Sequence, residues 1–523
     1  MLVKLRIVAA PDCSIVRAGF TGIVPTPLFR ERGNYPTGIR RMKIQIDNFG
    51  PIHRFECDLN KDLHLILGTN NIGKSYAITV VYLLLKSFIE AGEEFDPVDA
   101  RGARGEIDAL VDYFFERESG KKTDVEATST ARATAWLERE FLPRFQGHLE
   151  GTYGFMDAVV NRFSGGKPSI KLTSLPVFEI RIGTDGNRFE IKLETGAALE
   201  SVLFQDKRFK EILTEDSEQL TTLLAGLGFN IGEREKSEIE LSFASSFLYR
   251  FIFSQVLGKV HAIHYLPASR SGLHAVLPSF GQIFAELAKS RSFLQSRIEL
   301  PGIAVPLSDY FLELSQVDPN EKREKDDPIQ RIAEDIENDI LGGRVEFDKK
   351  ARKLFYTLGD TGLRLDMDAT SSMVSELSPI VSFLRHVVSK PPRLAKEWQE
   401  GVSPKHLLFI EEPEAHLHPE NQVRLMAAFA ALANAGVKVM LTTHSDFLFN
   451  KLNNLILEKR IDTAAVSAML FKQTDEGGDA VPLAMDDLGI EDENFIDATE
   501  WLYDEKVDLI DRMNRDGDDG DAE

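Results

Sequence analysis

Three short stretches of this chain carry residue types and spacings suited to phosphate chemistry. The octapeptide Gly68-Thr69-Asn70-Asn71-Ile72-Gly73-Lys74-Ser75 fits the pattern G-x-x-x-x-G-K-[ST]. In that pattern the glycines let backbone N–H groups turn inward around phosphate oxygens, the lysine reaches the β- and γ-phosphates, and the last hydroxyl is placed to ligate magnesium. Gly68, Asn70, Asn71, Gly73, Lys74 and Ser75 are therefore candidates for holding ATP, with Ser75 shared between the nucleotide and Mg2+. A glycine turn beside a solvated lysine is the bland alternative. An apolar strand pattern before the octapeptide and a helical pattern after it favour the phosphate loop.

The second stretch is Leu407-Leu408-Phe409-Ile410-Glu411-Glu412, an apolar strand that delivers two carboxylates at its C-terminal end, where α/β sheets place their ligands. Successive residues leaving a strand point differently, so the pair suits two tasks. Glu411 would enter the magnesium shell, and Glu412 would act as the general base that polarises the attacking water. In isolation the same residues could be a strand ending in solvated charge. The third stretch is Leu441-Thr442-Thr443-His444-Ser445, in which His444 could sense or stabilise the γ-phosphate by hydrogen bonding. Between these two lies Pro413-Glu414-Ala415-His416-Leu417-His418-Pro419. Its His-Leu-His pair has the look of a metal site, but packing at the start of a helix after Pro413 explains it as well.

The elements that must position these residues are legible as periodicity. Strand patterns occupy 42–46, 55–59 and 63–67, and a buried helix is expected over 75–88. Charged helical segments follow at 130–141 and 206–227, interrupted by a hairpin at 177–182 and 188–193 around Thr184-Asp185-Gly186-Asn187. Strand character returns at 260–266, then helices at 282–297 and 329–340 and a hairpin at 344–347 and 353–357. A strand at 406–410, a helix over 421–435 and a strand at 437–441 form a βαβ pattern that fits a parallel sheet. Residues 1–41 hold scattered Pro and Gly without periodicity, so they are expected to be an extension, with Met42 the natural start.

Composition sets outer bounds. With 43% apolar and 28% charged residues the chain is globular rather than disordered. A formal charge of −22, ending in the acidic run 516–523, argues against a broad nonspecific DNA-binding surface but leaves room for a local basic groove. Cys13 and Cys57 are too few for a disulfide framework or a thiolate zinc site. The apolar run 76–85 is stopped by Lys86 short of the ~20 residues a spanning helix needs, and no secretion signal is evident. A cytoplasmic protein without membrane association is expected.

The combination GTNNIGKS, LLFIEEPEAHLHPE and LTTHSDFLFNKLNNLI resembles the ABC-type ATPases of the SMC, RecF and OLD group. It is especially similar to the prokaryotic family that includes ATPase subunits of phage-defence systems of the Septu and PARIS types. The resemblance covers roughly 42–90 and 255–470. It implies an α/β fold, an ABC-type P-loop NTPase head with a mixed or parallel sheet and a largely helical inserted domain. The expected divisions are an extension at 1–41, head parts at 42–90 and 255–470, an insert at 91–254, and a C-terminal segment at 471–523. It also implies that Lys74 and Ser75 match the family's phosphate-loop residues, Glu411 and Glu412 its acidic pair, and His444 its switch histidine.

Two weaker stretches gain roles from the same resemblance. In Tyr265-Leu266-Pro267-Ala268-Ser269-Arg270-Ser271-Gly272, Arg270 would reach phosphate or couple the site to the insert, with a surface arginine after a turn an equal alternative. Ala369-Thr370-Ser371-Ser372-Met373-Val374-Ser375-Glu376 stands in the place of the signature motif, where Ser371, Ser372 and a helix N-terminus would contact the γ-phosphate of a second protomer. Met373 occupies a position where glycine is common in the family. Closure of two heads on two ATP molecules is then the expectation, with a homodimer or higher oligomer as the assembly.

Three functions fit such an ATPase. One is a nucleotide-dependent sensor or scaffold in antiviral defence controlling a separate effector, such as a Toprim or HNH nuclease, because residues 445–523 are short for an appended Toprim domain. Another is a DNA-repair or chromosome-maintenance ATPase of the RecF or SMC kind, for which nucleic acid would be a partner. A transporter subunit is disfavoured by the missing LSGGQ-like signature, the large insert and the EEPEAHLHP segment.

Overall fold

The computed structural model describes residues 41–93, most of 129–195, parts of 252–272, 303–317, 327–348, 353–389, 405–486, 489–491 and 503–510. Residues 1–40, the helices expected over 206–227 and 282–297, and the acidic run at 516–523 lie outside the described residues.

Among the described residues, eleven strands share one sheet, in the order Arg188–Thr195 (β6), Phe178–Asp185 (β5), Ser169–Leu175 (β4), Arg41–Phe49 (β1), Ile52–Asp58 (β2), Gly477–Pro482 (β14), Val466–Thr474 (β13), Leu63–Gly68 (β3), Lys438–Thr442 (β12), His406–Glu411 (β11) and Ala262–Leu266 (β7). Its centre is parallel: β13 (Val466–Thr474), β3 (Leu63–Gly68), β12 (Lys438–Thr442), β11 (His406–Glu411) and β7 (Ala262–Leu266) all run the same way. Parallel strands buried on both faces read as largely apolar runs; β3, β11 and β12 do so at their middles, with His64, His406 and Lys438 buried among them. Leu407 and Phe409 of β11 face one core, Leu408 and Ile410 the other, the period-2 alternation of a strand dividing one apolar run between two layers. Helix α1 (Lys74–Glu93) fills the first layer. Its length and composition would suffice to cross a membrane, but 67% of that stretch is buried inside the fold, where it is the central helix.

The antiparallel wing is built from β1 (Arg41–Phe49), β2 (Ile52–Asp58), β4 (Ser169–Leu175), β5 (Phe178–Asp185) and β6 (Arg188–Thr195). The hairpin at 177–193 was expected within an inserted domain, yet β4 pairs with β1 along seven residues, so the hairpin extends the sheet of the head. Helix α2 (Ser129–Trp136) runs through a π-turn into α3 (Leu142–Tyr153), and Phe141 and Phe145 lie in the same core as α1. The described residues of 129–195 thus pack in the same layer as α1. Strand β13 runs across position 470 and forms a hairpin with β14 (Gly477–Pro482), which pairs with β2 and so joins the parallel centre to the wing.

The second layer holds α4 (Val305–Ser315), α5 (Pro328–Ile336), α6 (Ser372–Phe383), α7 (Pro419–Asn434) and α8 (Asp446–Leu457). A separate small sheet joins β8 (Gly343–Asp348), β9 (Lys353–Leu358) and β10 (Arg364–Asp366) and leads directly into α6. The mixed α/β sheet expected from the sequence is therefore present, with the ends of β3, β11 and β12 brought side by side.

Candidate nucleotide-binding site

The octapeptide joins β3 to α1. At Gly68 the backbone φ is 143°, and a Cβ there would lie 2.9 Å from the Phe471 carbonyl oxygen on β13, so only glycine lets the strand end this close to its neighbour. Gly73 has φ 105°, a conformation side chains resist. Thr69, Asn70 and Asn71 are exposed at the tip, while Ile72 is buried and anchors the loop to the core.

Lys74 is 5% exposed. Its ammonium donates to the carbonyls of Gly68 at 2.9 Å and Thr69 at 2.7 Å and to His444 Nε2 at 3.0 Å. Burial lowers its pKa to about 8, against the pull of the Glu412 and Glu414 carboxylates. Because Nε2 accepts from an ammonium, His444 is neutral with its proton on Nδ1; burial, then Lys74, hold its pKa below the usual histidine value.

Glu411 ends β11. Its carboxylate is shielded from water and accepts from the hydroxyls of Tyr265 and Ser75. Burial raises its pKa, with the two hydroxyls opposing. Ser75 and Glu411 present only oxygen, the donor type a small hard cation takes, and Mg2+ is ordinarily held by one or two such groups together with substrate phosphates and water. No cluster of three or more His, Cys, Asp and Glu side chains suited to a metal occurs among the described residues. As two oxygen donors, Ser75 and Glu411 fit a metal shared with phosphate. Mg2+ held there would neutralise charge on the phosphate oxygens.

Glu412 leaves the strand in a left-handed conformation, φ 41°, uncommon for a residue with a side chain. Such a backbone costs about 1–3 kcal/mol and persists only where the surroundings over-determine it. Three contacts do so: Glu412 N donates to Thr442 O at 3.0 Å, and its carbonyl accepts from Ala415 N at 3.2 Å and from the Arg270 guanidinium at 3.3 Å. The turn brings Glu412 Oε1 to 3.6 Å from His444 Nε2, beside Lys74.

The structure brings Lys74, Ser75, Glu411, Glu412 and His444 to one place. Asn70 and Asn71 are exposed on the loop that carries Lys74. Arg270 is not the surface arginine that the sequence also allowed. It is fully buried, and its guanidinium is taken up by backbone carbonyls rather than by the phosphate loop. Ser371 is the N-cap of α6, its hydroxyl accepting from Val374 N at 3.4 Å, and Ser372 starts that helix exposed to solvent. His418 caps α7 through Nδ1, in keeping with helix-start packing for the His-Leu-His pair.

Two contributors escaped sequence reasoning. Tyr265 is buried on β7, and its hydroxyl meets Thr79 Oγ1 at 2.8 Å as well as Glu411. Glu414 accepts from His444 N at 2.7 Å and so sets the histidine's backbone. A tyrosine in a strand and a third acid after Glu411 and Glu412 carry no spacing signal of their own; only their neighbours across the sheet distinguish them.

The depressed Lys74 pKa makes a signed prediction. Phosphate oxygens favour the ammonium, so binding raises the lysine's pKa from about 8. Above that pH, ATP binding takes up a proton, and affinity falls as pH rises, by up to about tenfold per unit until the bound-state pKa is reached. Calorimetry at about pH 9 in buffers of different ionisation enthalpy should register uptake approaching one proton. No uptake at that pH would mean Lys74 is already fully charged in the free protein. In the ligand-free protein the same shift adds stability as pH rises from about 8 toward the ordinary lysine value, because there the unfolded chain binds more protons.

Comparison with known proteins adds a partial match. The model for an AAA ATPase domain matches residues 280–449, less than half of the chain, a span that includes Glu411, Glu412 and His444 and begins after the phosphate loop. No curated protein matches. Similar solved structures include the SMC head domain from Thermotoga maritima, 9% identical with TM-score 0.32, covering 85% of this chain and 100% of that one. An SMC head bound to the C-winged helix domain of ScpA is 10% identical with TM-score 0.34, covering 86% and 98%. An SMC head with an extended coiled coil, bound to the C-terminal domain of ScpA derived from Pyrococcus furiosus, is 10% identical with TM-score 0.33, covering 89% and 99%. At these values the likeness carries no argument, and the reading rests on the site.

Proposed function

We propose that this chain is an ABC-type ATPase that binds ATP with Mg2+, hydrolyses it, and uses the cycle to control a separate effector in prokaryotic antiviral defence. The observation that carries the ATPase reading is the convergence of Lys74, His444 and Glu412 beside the Ser75–Glu411 pair. When phosphates enter the loop, the Lys74 ammonium exchanges its contacts with Gly68 and Thr69 for phosphate oxygens. Neutral His444, no longer occupied by Lys74, is then placed to read the γ-phosphate. Glu412 takes the proton of the attacking water, and its fixed backbone means that no rearrangement has to accompany the transfer. The defence role is supported by the similarity of the three motifs to ATPase subunits of Septu and PARIS type.

The reading further holds that the α6 N-terminus, with Ser371 and Ser372 exposed, completes the site of a second protomer. Gel filtration of Glu412→Gln with ATP and Mg2+ tests this: a shift to twice the mass is expected, and an unchanged elution position counts against head closure. ATP turnover stimulated by duplex DNA with no other protein present would favour a repair or chromosome-maintenance ATPase over the defence reading.

A further inference from the structure

We infer that Arg270 and Glu376 form a positioning pair that ties the left-handed backbone of Glu412 to helix α6, so that the placement of α6 sets the aim of the general base. The inference rests on the reading of Glu412 as the residue that activates water. Both side chains are almost completely buried, Arg270 at 0% and Glu376 at 1% exposure. The Arg270 guanidinium joins three segments that are far apart in the chain. Nη1 donates to Pro267 O at 2.9 Å, after β7, and to Glu411 O at 2.8 Å. Nη2 donates to Glu412 O at 3.3 Å, and Nε donates to Glu376 O at 3.2 Å on α6. The Glu376 carboxylate accepts from Arg270 N at 3.1 Å and lies 3.5 Å from Nε.

This arrangement needs arginine, because only a planar fork with five donors can hold carbonyls on three sides at once. It also needs Glu376, because an unpaired buried cation would be strongly destabilising. The carbonyls it holds are those of the two residues at which β11 turns off the sheet, so the guanidinium restrains the strained peptide that aims Glu412. Glu376 lies one helical turn from Ser372, and a helix moves its first two turns together. Whatever shifts the exposed end of α6 therefore pulls on the Glu411 and Glu412 carbonyls through one buried side chain. Arg270 acts through Glu412 and touches no substrate.

Arg270→Lys and Glu376→Gln, each alone and in a Glu412→Gln background, test the pair. Alone, each is expected to lower kcat by about ten- to a hundredfold with ATP affinity changed by less than about threefold. In the Glu412→Gln background neither should lower the residual turnover further, since the group they aim is already gone. A further loss in that background, or weakened ATP binding alongside lost turnover, is what a general loosening of the fold produces and overturns the inference. Should Arg270→Lys fail to fold, Glu376→Gln carries the test, since it keeps its size and an acceptor for Arg270 N. Hydrogen exchange supplies an arm independent of catalysis: Glu376→Gln should speed exchange at 411–415 and leave α1 unchanged. Unaltered protection at 411–415 overturns the positioning role. A wild-type protein without turnover would instead defeat the ATPase reading, with the exchange result still deciding the pair.

Discussion

Glu412→Gln is expected to cut ATP turnover by about a hundred- to ten-thousandfold, the range a positioned general base contributes, while leaving ATP affinity within about threefold. An amide has nearly the shape of a carboxylate but cannot take a proton from water at neutral pH. The groups that bind phosphate are elsewhere: Lys74 is held by Gly68, Thr69 and His444, and Ser75 by Glu411. The loss should therefore fall on kcat and spare binding. Single-turnover measurement with saturating ATP reads the chemical step directly. If turnover stays within tenfold of wild type, the base is another group. Glu414 is a poor substitute, because it is buried and already accepts from the backbone of His444.

Lys74→Ala is expected to weaken ATP binding by about a hundred- to a thousandfold. Two unit charges about 4 Å apart attract by about 4 kcal/mol at the effective dielectric typical near a protein surface, equivalent to roughly a thousandfold in affinity. The lower end of the range reflects what Lys74 already has. Its ammonium sits among carbonyls before any phosphate arrives, so part of the phosphate attraction goes into displacing those contacts. The substitution also frees His444 Nε2 from its 3.0 Å contact, which should raise the histidine's pKa toward the ordinary value, since Lys74 is one of the two influences holding it down. Titration of the His444 ring by NMR would detect that rise. Equilibrium binding of a fluorescent ATP analogue measures the main effect, and affinity within tenfold of wild type would remove Lys74 from the phosphate site.

The strained backbone at Glu412 explains why the loss of turnover in Glu412→Gln should be large. A strand that simply ended in two acids would send successive side chains to opposite faces of the sheet. Here the left-handed φ redirects the second acid, and the Arg270 guanidinium and Thr442 carbonyl hold it there. The conformational cost is met during folding, leaving less reorganisation for the moment of reaction.

Local periodicity and residue chemistry were enough for much of this molecule. The strand–loop–helix unit around Lys74, the apolar strand delivering Glu411 and Glu412, the helix after Pro419 and the strand before His444 are all written in short-range patterns. A buried parallel strand reads as a largely apolar run, and a phosphate loop must have glycine where backbone crowds it. The sequence by itself therefore determined which residues could do phosphate chemistry and on which elements they sit. Pairing across long chain separations was different. That β4 joins β1 and draws 169–195 into the head, and that β13 and β14 bridge the centre to the wing, depend on register, which alternating patterns permit in many combinations. Burial was also decided by the fold: Arg270 reads in sequence as a surface cation, a phosphate ligand or a link from the site to the insert, and Tyr265 as one more apolar strand residue. Only the tertiary structure placed them beside Glu411 and Glu412, because a buried side chain takes its role from the groups that satisfy it, and those come from the ends of β7 and β11 and from helices α1 and α6, which the chain order keeps apart.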